Sequence, residues 1–232
     1  MGTMPEKPVM VNTIVTSDLG DRICESYDVK VEKTLTGFKF IGERIARHLA
    51  AHDANYVFGY EESYGCLIGT FVRDKDAVIA SMLLAETAAW YKKQGMTLYE
   101  GLMALYEKYG FYSEKVTSFA LEGKDGLAEM VKLMANLRTG WPKELGGLAV
   151  KAVRDYKTGL RTEEDKQTKL DYPTSDVLFY ELEGGAWACI RPSGTEPKVK
   201  VYVNAVTDSA EKSAALTQKL LDDAVKLMKD HM

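Results

Sequence analysis

Hydrophobic positions in the first part of the chain switch repeatedly between a strand period and a helix period. Val9–Thr16 is a β-rich run, and Leu19, Ile23 and Tyr27 then recur at four-residue spacing, which predicts a short helix after Asp18. Val29–Leu35 predicts a second strand. Phe38, Ile41, Ile45 and Leu49 mark the apolar stripe of a helix ending near Asp53-Ala54-Asn55. Tyr56–Tyr60 predicts a third strand that runs straight into Glu61-Glu62-Ser63. Ala77–Trp90 is apolar almost throughout and is expected to form a helix buried on most sides, with Lys92 and Lys93 in its last turn. Thr97-Leu98-Tyr99-Glu100 has capping-box spacing and opens a helix closing at Gly110. This alternation predicts a mixed α/β domain over residues 1–116.

The pattern changes afterwards. Lys115–Leu121 is strand-like, and Leu127, Met130, Val131, Met134 and Leu137 form a helical face that Trp141-Pro142 ends. Leu148–Tyr156, Val177–Leu182, Ala186–Ile190 and Val199–Val206 predict strands. Lys157–Lys169 has no apolar period and is expected to be an exposed loop. Asp208-Ser209-Ala210-Glu211 caps a last helix carrying Leu216, Leu220, Ala224 and Met228. Residues 117–232 are therefore expected to be a small α+β domain, a four-stranded sheet under two helices.

Composition narrows the function. The chain has 232 residues, long enough for two domains of about 115 residues. Its 30 Lys+Arg against 34 Asp+Glu give a net charge of −4, which argues against a nucleic-acid surface and makes any anion site local. No apolar run approaches the length of a membrane span. Cys24, Cys66 and Cys189 are odd in number and far apart, as expected of reduced thiols in a cytoplasmic protein rather than disulfides or zinc ligands.

The chemistry concentrates in Arg191-Pro192-Ser193-Gly194-Thr195-Glu196-Pro197-Lys198, between two predicted strands. Arg191 offers a planar fork of donors and Lys198 a point charge. Ser193 and Thr195 offer hydroxyl protons, and Gly194 lets backbone N–H groups approach an anion with no side chain in the way. A Pro-Ser-Gly hairpin turn with solvated charges explains the same residues equally well.

Glu61, Glu62 and Ser63 form a second constellation. A carboxylate and a hydroxyl can hold a sugar diol, or they can be an acidic strand end capped by Ser63. Lys39 reads as a solvated lysine of a first helical turn. Arg73 has ion-pair partners offered by Asp74 and Asp76, and His48 and His52 read as surface or structural histidines. Glu163-Glu164-Asp165 lacks the interspersed glycines of a cation loop and suits a solvated turn.

The octapeptide, followed by Val199-Lys200-Val201-Tyr202, closely resembles the phosphate-binding loop of the α-D-phosphohexomutases, the family of phosphoglucomutase, phosphomannomutase and phosphoglucosamine mutase. Gly59-Tyr60-Glu61-Glu62-Ser63-Tyr64-Gly65 resembles the sugar-binding loop of the family's third domain, usually Gly-Glu-x-Ser-Gly, with Tyr60 replacing the glycine before the glutamate. Thr34-Leu35-Thr36-Gly37-Phe38-Lys39 and Arg73-Asp74-Lys75-Asp76 also read like this family. The resemblance covers nearly the whole chain and implies its third and fourth domains, the C-terminal half of a longer mutase. The family's serine-nucleophile and magnesium loops find no match here. The resemblance thus places the phosphoserine and the Mg2+ ligands in N-terminal domains outside this chain, with no catalytic or metal residue in it and no turnover by this part alone.

It implies reversible 1-phosphate/6-phosphate interconversion of a hexose phosphate through glucose 1,6-bisphosphate, of the phosphoglucomutase type. Phosphomannomutase, phosphopentomutase and a non-catalytic sugar-phosphate-binding module are the alternatives. Glu61 and Ser63 would hold sugar hydroxyls, while Arg191, Ser193, Gly194, Thr195 and Lys198 would hold the non-reacting phosphate.

Overall fold

The computed structural model describes residues 4–121, 126–194 and 196–232. The chain divides into two compact units, Met1–Gly110 and Phe111–Met232.

The first unit is built on strands β1 (Pro8–Thr13), β2 (Lys30–Thr34), β3 (Asn55–Tyr60) and β4 (Cys66–Ile68), in the sheet order β2-β1-β3-β4. β1 runs parallel to β2 and β3, and β4 folds back antiparallel on β3. Helices α1 (Leu19–Glu25), α2 (Phe38–Ala51), α3 (Ala77–Lys93) and α4 (Leu98–Tyr109) connect and follow them. Three of the four positions predicted for the α2 stripe are buried: Phe38, Ile41 and Ile45 pack with Val9, Val11, Tyr56 and Leu67, while Leu49, near the end of the helix, is exposed. The capping box of α4 is complete, with Thr97 Oγ1 accepting from the Glu100 N–H and Glu100 Oε2 from the Thr97 N–H at 2.7 Å.

Helix α3 corrects an expectation. None of its residues is buried, and Val78, Met82 and Leu84 are 82%, 58% and 59% exposed. Asp76 caps it, accepting from the N–H groups of Val78 and Ile79. The helix follows edge strand β4, and Ile79 is its contact with the core of this unit. An all-apolar sequence has no polar face, so its pattern does not say which side is covered.

The second unit contains β5 (Phe111–Ala120), α5 (Gly126–Asn136), β6 (Glu144–Leu145), β7 (Leu148–Asp155), β8 (Leu160–Glu163), β9 (Lys166–Lys169), β10 (Leu178–Leu182), β11 (Trp187–Pro192), β12 (Lys198–Thr207) and α6 (Ala210–Asp230). The α+β class stands, but among the described residues the antiparallel sheet has eight strands rather than four. Their order is β5-β12-β11-β10-β7-β8-β9, with β6 on β7. The added width comes mainly from β8 and β9 in the stretch expected to be a loop. Apart from Leu160 their side chains are polar on both faces, so the hairpin leaves no period-2 signal. Glu164, with φ 49°, makes the turn. The boundary expected at 116/117 falls inside β5, which pairs with β12 from Phe111 to Ala120. The core lies between the sheet and α5 and α6, where Leu133, Met134, Leu220 and Ala224 meet Leu178, Ile190, Val199, Val201 and Val203. Among the described residues no helix is long and apolar enough to cross a membrane.

Glu181 of β10 is the hub of a charge network on this sheet. It accepts from Arg161 at 2.9 and 2.7 Å and from Arg154 Nε. Burial pushes its carboxyl up, but the hydrogen bonds and charges of Arg161 and Arg154 outweigh that and hold it below the ordinary value of 4.5. A depressed carboxyl stabilises the fold above its unfolded pKa and loses that contribution as pH falls through the folded one. Glu181→Gln is expected to cost about 1–3 kcal/mol near neutrality. The gap to wild type should close as pH drops below 4.5, and urea melts on both sides of that value check it.

Candidate functional site

In the first unit, the carboxyl ends of three parallel strands bring their loops together, the position where ligands collect in α/β sheets. Glu61 follows β3 directly and is 8% exposed. Its backbone N–H donates to the Gly65 carbonyl at 2.8 Å, which closes a tight loop. Its Oε1 accepts the N–H of Gly37, the N-cap of α2, at 3.0 Å. The carboxylate therefore complements the positive end of the helix and ties the β2 loop to the β3 loop. Glu62 turns toward β1, where its Oε2 accepts from Thr13 Oγ1 at 3.2 Å, and Thr13 Oγ1 also lies 2.9 Å from Thr16 Oγ1. Ser63 and Tyr64 at the loop tip are exposed.

Charge pairs brace this end of the sheet. Lys33 Nζ lies 2.8 Å from both Asp18 and Asp21, and Asn12 Nδ2 donates to Asp21 at 2.7 Å. Burial raises the Asp21 pKa, although Lys33 and Asn12 act in the opposite direction. Tyr60 fits beside α1 because residue 20 is glycine: a Cβ there would collide with the Tyr60 hydroxyl.

Lys75 joins the loop without having been singled out in the sequence. A Cβ on Gly65 would lie 2.7 Å from Lys75 Cδ, and Lys75 Nζ sits 5.7 Å from the Phe38 ring centroid. Its place beside Gly65 is set by the backward fold of β4, a tertiary contact that local spacing does not reveal. Arg73 does not take the offered ion pairs. Its guanidinium donates to the carbonyls of Thr70 and Val72, while Asp74 pairs with Lys75 and Asp76 caps α3.

Other candidates resolve as structural groups. Lys39 is exposed, over the Phe40 ring. His48 is buried, with Nδ1 2.7 Å from Asp53 and Nε2 3.2 Å from Glu32, and His52 closes α2 at φ 51°. Among the described residues Cys24, Cys66 and Cys189 form no disulfide. Burial, helped by Asp21, pushes the Cys24 thiol up to about 11, so it stays protonated.

In the second unit, β11 and β12 carry the octapeptide between them. Arg191 lies directly across from Lys200, and Pro192 from Val199. Since Val199 and Val201 enter the core, alternation puts Lys198 and Lys200 on the opposite face, together with Arg191. Arg191 Nη1 donates to Tyr202 Oη on that face at 3.5 Å. The turn is closed by the Ser193 N–H donating to the Lys198 carbonyl at 2.7 Å. It is anchored by the Leu121 N–H, which donates to the Pro197 carbonyl at 2.8 Å. Lys198 Nζ is turned onto Glu196 Oε2, 3.1 Å away, an exposed pair of little strength. Thr195 lies outside the described residues.

Two features of this turn do not follow from the packing of the described residues. Like charges placed opposite each other in a sheet repel, as Arg191 and Lys200 do. Gly194 has no left-handed φ, and a Cβ there would meet no atom within 4 Å. Lys200 is the residue sequence reading missed here. Its Val-Lys-Val alternation was visible, but its partner depends on strand register.

The α/β/α domain III of the phosphoglucomutase/phosphomannomutase family matches residues 2–109, and the C-terminal domain of that family matches residues 121–218. A phosphoglucomutase of Staphylococcus epidermidis is 36% identical over 217 residues, covering 92% of this chain and 38% of that protein. One from Staphylococcus aureus is 39% identical over 198 residues, covering 84% and 35%. The chain thus spans little more than a third of these relatives. The crystal structure of the Paramecium phosphoprotein parafusin, a phosphoglucomutase, in its open form shares the fold with a TM-score of 0.67 at 16% identity, covering 95% of this chain and 37% of that one. A phosphoglucomutase/phosphomannomutase family protein of Burkholderia thailandensis aligns with a TM-score of 0.57 at 16% identity, covering 96% and 37%.

Proposed function

Because the chain belongs to the phosphoglucomutase/phosphomannomutase family, we propose that it is the substrate-positioning part of a phosphohexomutase of the phosphoglucomutase type. The observation that carries this reading is the row formed by Arg191 and Lys200 beside an open Gly194. A phosphate dianion there would offset the repulsion between the two cations. The Arg191 fork supplies paired N–H donors, Ser193 and Thr195 supply hydroxyls, and the open glycine lets backbone N–H groups close in. Lys198 joins by leaving Glu196.

The sugar hydroxyls fall to the first unit. Glu61 keeps Oε1 on Gly37 and accepts a hydroxyl proton with Oε2, while Ser63 pairs with the neighbouring hydroxyl. Holding the substrate far from the reacting atoms orients it for transfer. A loop that grips a phosphate whichever carbon bears it admits the 1- and 6-phosphates of one hexose in turn, with glucose 1,6-bisphosphate between them. The phosphoserine and Mg2+ of the transfer step belong to the portion of the relatives beyond this chain. No described residue is assigned to the metal.

The 232-residue chain is expected to show no turnover of glucose 1-phosphate in a coupled assay. Glucose 1,6-bisphosphate at tenfold over its Kd should raise the melting temperature by about 3–6 °C, and inorganic phosphate by less. Measurable turnover, or equal shifts from both ligands, would overturn the reading.

A further inference from the structure

Tyr64 sits at the tip of the loop closed by Glu61 and Gly65 and departs from what stability alone would select. Its backbone is left-handed, at φ 66°, a conformation that costs an aromatic residue and suits glycine or asparagine. Its side chain is fully exposed, at 101%, so the ring gains nothing by burial. The glycine of this loop stands at the next position, where φ is ordinary and the need is space: a Cβ on Gly65 would run into Lys75. Conformation and solvation both argue against tyrosine at 64, and such departures gather at functional sites.

We propose that the Tyr64 ring is an aromatic platform for the sugar ring of the substrate, a specificity residue that stacks on the C–H face of a pyranose phosphate. This inference rests on the sugar-binding role proposed for Glu61 and Ser63. A pyranose carries its hydroxyls around the rim and its C–H bonds on the faces. The carboxylate and hydroxyl grip the rim, and an aromatic face covers the apolar side, the usual division of labour in small-molecule sites. The exposed ring then finds its partner in the ligand, and the strained backbone holds it next to Ser63.

The test uses the 232-residue chain and the variants Tyr64→Asn and Tyr64→Phe, titrated calorimetrically with glucose 6-phosphate and with inorganic phosphate. Asparagine tolerates the left-handed backbone and removes the ring. Tyr64→Asn is expected to weaken glucose 6-phosphate binding by about threefold to tenfold, leave inorganic phosphate unchanged and not lower the melting temperature. Tyr64→Phe is expected to bind within about twofold of wild type, because stacking needs the ring and not the hydroxyl. The platform is refuted if Tyr64→Asn binds like wild type, if Tyr64→Phe loses as much as Tyr64→Asn, or if Tyr64→Asn melts several degrees lower. Failure of the wild-type chain to bind glucose 6-phosphate at all would instead remove the parent reading.

Discussion

Replacing Arg191 with alanine is expected to weaken binding of glucose 6-phosphate by about 10- to 100-fold, the equivalent of one or two charge-assisted hydrogen bonds. Binding of free glucose should not change. Among the described residues, Arg191 leans on Tyr202 through a long bond of 3.5 Å and faces Lys200 across the strands. Its removal therefore subtracts little from the fold and relieves a repulsion, so the melting temperature of Arg191→Ala should stay close to wild type. Arg191→Lys should recover only part of the affinity, because an ammonium keeps the charge but not the paired N–H donors. Calorimetry with glucose, glucose 6-phosphate and inorganic phosphate separates these outcomes. Equal losses for glucose and glucose 6-phosphate would take the phosphate away from this loop. A large drop in melting temperature would mean that Arg191 serves the fold.

The residues named from the sequence and those added by the structure differ in one physical respect. Phe38, Ile41 and Ile45, the Thr97–Glu100 capping box and Val199–Val206 are local patterns, and each appears where its spacing put it. The octapeptide stood out because an arginine, two hydroxyl residues, a glycine and a lysine fall within eight positions. What escaped was set by pairing across the chain. Lys200 became a neighbour of Arg191 through strand register, Lys75 reached Gly65 because β4 folds back on β3, and Glu61 proved to be tied to Gly37 through the approach of two loops. The hairpin of Leu160–Lys169 escaped for another reason: with both faces polar beyond Leu160, it carries no hydrophobic alternation to read. The exposed apolar flank of α3 shows the opposite limit, since apolar composition predicts a preference for burial but names no partner.

Gly59→Ala is expected to destabilise the first unit by about 2–4 kcal/mol, the sum of overpacking and one strained buried hydrogen bond. Gly59 pairs with Val11 on β3, two strand positions before the sugar loop, and its φ is ordinary, so the requirement is for space. A Cβ there would stand 2.5 Å from Tyr56 Oη, 2.9 Å from Ile41 Cγ2 and 3.0 Å from the Val11 carbonyl oxygen. All three neighbours are held in place. Ile41 is fully buried in the α2 stripe, the Val11 carbonyl belongs to the sheet, and the Tyr56 hydroxyl donates to the Leu67 carbonyl at 2.9 Å. The least costly adjustment moves the tyrosine, which strains that bond and shifts β4 against β3. Because β3 delivers Glu61, the same shift should loosen sugar-phosphate binding in the fraction that remains folded. Urea denaturation of Gly59→Ala, Tyr56→Phe and the double variant tests the cause. If the Tyr56 hydroxyl is the obstruction, removing it recovers part of the loss, and the double variant is less destabilised than the two single costs added together. Strict additivity would show that the collision is taken up elsewhere, by Ile41 or the Val11 backbone.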